Sequence, residues 1–132
     1  MIALDDYFGR ISHLYVPDDT TRRNAVELLE RVNKLLEMLP LNLEAVIAPK
    51  LNSGWRPAAY NATVPGAAVR SRHITGQALD LADPDGALDD YLFQRQELLV
   101  ECCLWMEHPL ATKNWCHLQS APPRSGNRVF IP

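Results

Sequence analysis

A carboxylate set inside an apolar strand constrains this chain more than any other feature. The run Gln77 to Ala82 (QALDLA) alternates as a short strand, with Ala78, Asp80 and Ala82 on one face and Gln77, Leu79 and Leu81 on the other. An aspartate there is costly to bury unless it is paired or bound to a metal, so the fold has to bring compensating groups to it. Its small neighbours leave room for an ion. Just upstream, Ser71-Arg72-His73-Ile74-Thr75-Gly76 supplies one partner. Gly76 permits backbone angles that a side chain forbids, so a turn at Thr75-Gly76 can fold His73 back towards Asp80. A second partner lies in Asn114-Trp115-Cys116-His117. The run Trp115 to Gln119 (WCHLQ) reads as another strand, with Trp115 and His117 on one face and Cys116 and Leu118 on the other.

Two histidines and one carboxylate make a three-ligand set for Zn²⁺ that leaves a fourth position open, the arrangement of a catalytic site. A structural zinc site would be closed. None of the three cysteines falls in a CxxC spacing, and Cys102 and Cys103 are adjacent, which argues against a thiolate cage. The ordinary alternative for any histidine is a surface or core position, and His13 and His108 are read that way. Spacing alone leaves both readings open for His73 and His117.

The remaining pattern predicts one small α+β domain spanning residues 1–132. With 47% hydrophobic and 22% charged residues, a chain of 132 is long enough for one core and too short for two ordinary domains. From Asp18 to Leu39 the positions Ala25, Leu28, Leu29, Val32, Leu35, Leu36 and Leu39 follow helical spacing, with Asp18 to Thr21 available as caps and Pro40 as a stop. Leu43 to Ala48 reads as a strand leading to the Ser53-Gly54 turn, and Pro57 to Ala62 as a short helix with proline in its first turn. After the turn Asp83-Pro84-Asp85-Gly86, Ala87 to Cys102 reads as a second long helix. The expected architecture is a small antiparallel sheet carrying the metal on one face and two long helices on the other. The connection from Ala62 to Ser71, with Pro65 and Gly66, is expected to face the substrate.

Charge limits the partners. A net charge of −3 and a pI near 5.7 give no basic footprint for nucleic acid. The opening Met-Ile-Ala-Leu-Asp-Asp lacks the basic segment and apolar run of a signal peptide, and no stretch approaches a membrane span, so the chain is expected to be cytoplasmic when synthesised. The cysteines are expected to be reduced and buried, the alternative being a cross-strand bridge from Cys103 to Cys116. Oligomeric state is not legible.

The run Ser53-Gly54-Trp55-Arg56-Pro57, then Tyr60-Asn61-Ala62, then SRHITGQALD, and finally the Trp-x-His of Trp115 to His117 resembles the zinc D-Ala-D-Ala carboxypeptidase and L-alanyl-D-glutamate endopeptidase family. The match spans Ser53 to about Gln119, half of the chain, and its SxHxxGxAxD element is specific because ligands, turn glycine and small strand residue recur together. The resemblance implies a hedgehog and D-Ala-D-Ala peptidase-like fold, zinc held by His73, Asp80 and His117, and cleavage of peptidoglycan stem peptides. It also implies that Arg56 contacts the substrate and that Ser71 is a hydrogen-bonding residue lining the site. A guanidinium suits that role because its planar fork holds a carboxylate or carbonyl with two hydrogen bonds. The length and the ending from Pro122 to Phe130 are similar to small phage and prophage members. Such an enzyme would reach the wall after lysis, by export or as part of a phage particle.

One position departs from the family. Its best studied members carry an acidic base three residues before the final histidine, where this chain has Asn114. Glu107 is the candidate replacement. Leu104 to Glu107 reads as the first arm of a hairpin whose second arm carries His117, and Cys103, Trp105 and Glu107 share one face. Partial burial would raise the pKa of Glu107 towards neutrality, as a general base requires. The bland alternative is a glutamate at a hairpin end, facing water. Asn114 then becomes a polar contact for substrate or water, while for His108 the ordinary surface or core position outweighs an oxyanion contact. Two function classes follow: a zinc peptidase that uses Glu107, or a zinc-containing peptidoglycan-binding or phage structural module in which Asn114 marks lost catalysis.

Overall fold

In the computed structural model, residues 1–40, 42 and 50–132 are described. The predicted strand at Leu43 to Ala48 falls outside them. The described elements, in chain order, are α1 (Leu4–Phe8), α2 (Asp19–Glu37), β1 (Leu51–Ser53), α3 (Ala58–Asn61), β2 (Ala78–Asp83), α4 (Ala87–Gln94), α5 (Gln96–Glu101), β3 (Trp105–Glu107), β4 (Asn114–Gln119) and β5 (Val129–Phe130). Short 3₁₀ turns lie at Arg10–His13 and Pro109–Ala111. The class is α+β. No described helix is long and apolar enough to cross a membrane.

Helix α2 forms where its stripe predicts. The Asp18 carboxylate accepts a hydrogen bond from the Thr21 backbone N–H at 2.7 Å and caps the first turn. The stripe Ala25, Leu28, Leu29, Val32, Leu35, Leu36 and Leu39 is buried in the core, with Leu79, Leu81, Met106 and Leu118 from the strands and Leu104 from just before β3. Each fully buried leucine contributes about 2 kcal/mol by leaving water. Arg31 ties the helix to the sheet by donating to the carbonyls of Cys103 and Ser120, both at 2.9 Å.

The second predicted helix is interrupted. Arg95 leaves helical geometry (φ −133°, ψ 56°), separating α4 from α5. No residue between Leu92 and Leu99 is buried, and within that stretch only Leu98, at its end, packs partly against the core. Arg95 instead stacks on Tyr91, 4.1 Å from the ring centroid.

The sheet has the order β1-β2-β4-β3-β5. Four of its strands pair antiparallel, as expected, but β5 runs parallel to β3, so the sheet is mixed rather than antiparallel throughout. A chain that reverses after β4 has to run in the same direction as β3, since β3 already opposes β4. The β3–β4 hairpin is present, with Trp105 opposite Gln119 and Met106 opposite Leu118. Its connection is anchored to α4 through Thr112, whose hydroxyl donates to Asp89 at 2.6 Å. Burial pushes the Asp89 carboxyl up to about 6, against the hydrogen bond from Thr112.

Helix α1 closes over the turn between β1 and α3. Trp55 N–H donates to Tyr7 O at 3.1 Å, and the Tyr7 hydroxyl donates to Ala78 O at 2.9 Å. The approach is tight enough that a Cβ on Gly54 would lie 2.2 Å from Tyr7 O, a backbone atom that cannot swing aside. We therefore expect Gly54→Ala to destabilise the protein by roughly 3 kcal/mol, at the upper end of what overpacking costs. Urea unfolding measures this; a midpoint equal to that of the wild type would contradict the packing described.

Candidate metal centre

The strand register brings the first two chemical groups together. Asp80 on β2 is the direct cross-strand partner of His117 on β4, and the Asp80 carboxylate lies 2.8 Å from His117 Nδ1. The third arrives from the loop before β2. Gly76 takes a left-handed conformation (φ 75°) and packs against α2 so closely that a Cβ would meet Thr21 O at 2.6 Å. This turn folds the chain back and puts His73 Nε2 3.2 Å from the other Asp80 oxygen. The ligand atoms of His73, Asp80 and His117 all lie within 4.8 Å of one another, and both histidines are buried.

Hydrogen bonds on the far sides of the two rings decide what faces Asp80. His73 Nδ1 lies 2.7 Å from the carbonyl oxygen of Gly54. A carbonyl only accepts, so Nδ1 carries the proton and the neutral ring presents a bare Nε2 towards Asp80. That Nε2 is buried and makes no hydrogen bond among the described residues. His117 Nε2 lies 2.9 Å from Gln119 Oε1, and the Gln119 amide nitrogen donates to Ala121 O at 2.6 Å. Gln119 therefore turns its oxygen to His117 and Nε2 carries a proton, so that whenever the ring is neutral its bare nitrogen is Nδ1, the one facing Asp80. Two lone pairs and a carboxylate converge on one small volume.

Such a cluster needs positive charge at its centre, supplied by two protons or by one divalent cation. Burial alone would push the Asp80 carboxyl up, but the contacts with His117 and His73 hold it well below the usual carboxylate range. Burial disfavours the charged form of His117, yet Asp80, with Glu107 adding to it, raises its pKa above the ordinary value. The donor set of two imidazoles and one carboxylate suits a transition-metal dication, and the orphaned Nε2 of His73 is a buried polar atom that such an ion would satisfy. His73, Asp80 and His117 thus form a group able to hold a metal ion.

The other predicted residues divide into those near this cluster and those away from it. Glu107, at the end of β3, places Oε1 3.8 Å from His117 Nε2. Its burial raises its pKa, opposed by His117, His73 and Arg56 and reinforced by Asp80. Arg56 donates its backbone N–H to His73 O at 3.2 Å, and its buried Nε has no partner among the described residues. The Ser71 hydroxyl accepts from His73 N–H at 3.2 Å, so it shapes the ligand loop. Asn114 does not join the group. It is exposed at the first position of β4, opposite Asp83 and an odd number of residues from His117. Its φ of 78° accounts for an asparagine there, since this side chain tolerates the left-handed region. His108 is also turned elsewhere: its Nδ1 accepts from Leu110 N–H at 3.1 Å and its ring packs on Phe93.

All three cysteines are free, with Cys102 and Cys116 buried and Cys103 exposed, so the expectation of three buried thiols fails at Cys103. Cys103 sits just beyond α5 at φ 54°, in the turn that redirects the chain into β3. The sequence reading passed over two groups, Gln119 and the carbonyl of Gly54. Alternation along WCHLQ places Gln119 on the face of His117, which was a usable signal, whereas a backbone carbonyl leaves none. Comparison with known protein families, with curated proteins and with solved structures finds no match for this chain.

Proposed function

We propose that the protein is a zinc-dependent peptidase that hydrolyses amide bonds in peptidoglycan stem peptides. The observation that carries this reading is the convergence of His73, Asp80 and His117; a partly buried carboxylate, Glu107, lies 3.8 Å from Nε2 of His117, the ring nitrogen turned away from Asp80. The sequence resemblance described above supplies the substrate class. His73 Nε2, Asp80 and His117 Nδ1 would hold the ion. When bound, zinc supplies a Lewis acid that polarises the scissile carbonyl and makes a coordinated water acidic near neutral pH.

The chain's own residues do the rest. Glu107, whose pKa burial raises, takes the proton from the attacking water as the new C–O bond forms. It returns that proton to the leaving nitrogen as the C–N bond breaks, so the carboxylate is regenerated. Arg56 offers a guanidinium beside the histidine loop for a substrate carboxylate or carbonyl. The buried Nε of Arg56 has no hydrogen-bond partner among the described residues.

Incubating the purified chain with muropeptides, with and without a chelator, tests the reading. We expect a new free amine or released D-alanine that disappears on chelation and returns with zinc. If no metal-dependent product forms although zinc is bound, the chain is a zinc-containing binding or phage structural module instead.

A further inference from the structure

We infer that Gln119 is a positioning residue for the metal centre, one that selects Nδ1 of His117 as its ligand atom and keeps Glu107 free of that histidine. The inference rests on the zinc reading above but concerns a residue that neither binds the ion nor reacts.

Gln119 is buried, two residues beyond His117 on the same face of β4. Its amide can point only one way. Ala121 O accepts from the Gln119 nitrogen at 2.6 Å, and the reversed amide would set carbonyl against carbonyl there. The oxygen is therefore committed to His117 Nε2 at 2.9 Å, and this nitrogen must be the donor. The chain His117, Gln119, Ala121 O thus fixes the ring tautomer from outside the site, as outer partners of ligating histidines commonly do. His73 receives the same treatment from the Gly54 carbonyl, so both rings are oriented before any ion arrives.

A second consequence concerns Glu107. Its carboxylate lies 3.8 Å from the same Nε2–H, close enough to capture it after a small shift. A carboxylate is a stronger acceptor than an amide oxygen for such a donor. Were Gln119 absent, the His117 N–H would turn to Glu107 and engage the group that must take a proton from water. Gln119 thereby separates two tasks that would otherwise compete.

The test uses the full chain with zinc alone as the probe. Gln119→Met keeps length and bulk but removes the amide, and we expect its zinc affinity, measured by competition with a chromophoric chelator, to fall by about 10–100-fold. Gln119→Glu can repeat both bonds as the neutral acid, its O–H donating to Ala121 O, and should retain an affinity close to that of the wild type. Long-range ¹H–¹⁵N spectra of the zinc-loaded wild type should show His117 protonated at Nε2 and ligated at Nδ1. Ligation through Nε2, or a Gln119→Met variant that binds zinc as tightly as the wild type, overturns the assignment of Gln119 alone. Equal losses in the Met and Glu variants, with the tautomer unchanged, reduce Gln119 to a packing residue and overturn it as well. A folded wild type that takes up no zinc overturns the peptidase reading and this inference together.

Discussion

Glu107→Gln is expected to lower the turnover of muropeptides by roughly 10²–10⁴-fold, the usual contribution of a general base, while leaving zinc content unchanged. The substitution is nearly isosteric, and the side chain lies beside the cluster rather than in it, 3.8 Å from His117 Nε2. Only the capacity to accept a proton is removed. A companion variant, Asn114→Asp, should leave the rate where it is, because that residue is exposed at the far end of β4 and away from the ligand atoms. Steady-state rates on one muropeptide decide both points. If Glu107→Gln retained wild-type turnover, Glu107 would be an ordinary glutamate at a hairpin end.

Asp80→Asn is expected to abolish tight zinc binding, a larger loss than the ~10–100-fold that follows removal of an outer partner. It should also change how the metal-free protein responds to pH. Asp80 has its carboxyl lowered in the folded state, so its stabilising contribution is complete above its ordinary value of 3.8 and is lost as pH falls through the folded value. His117 has its pKa raised, so its contribution is complete below its ordinary value of 6.5 and is lost as pH rises through the folded value. The Asp80–His117 contact enters both contributions, with His73 adding to the first and Glu107 to the second, and together they favour the window between 3.8 and 6.5. The variant has no charge to offer His117, so both arms should flatten. Urea midpoints of chelator-treated protein across pH give the comparison; identical profiles for wild type and variant would sink the paired-charge account.

Much of the site was legible because strand alternation is a strict period. Asp80 and His117 each lie on a face that the sequence pattern predicts, and a turn glycine beside His73 signals a reversal. Helix α2 was legible for a related reason: seven apolar side chains at helical spacing, with Asp18 as cap, leave no other way to bury that surface. What escaped depends on tertiary context. The break at Arg95 interrupts a pattern that looks helical on both sides, and it shows only once the lack of a buried anchor there is known. β5 is two residues long and gains its place from pairing with β3, so no local pattern marks it or its parallel direction. Asn114 looked like a lost acid in the sequence, whereas its backbone angle gives it a conformational reason to be there. Gln119 had the right face, but its role emerges only from the bond to Ala121 O that fixes its amide.

Metal content per chain tests the centre most directly. Wild-type protein loaded with zinc and freed of excess by gel filtration should retain one ion per chain, while His117→Ala, folded by circular dichroism, should retain none. A folded wild type that emerges without zinc, or a His117→Ala variant that holds it as tightly, would contradict the account.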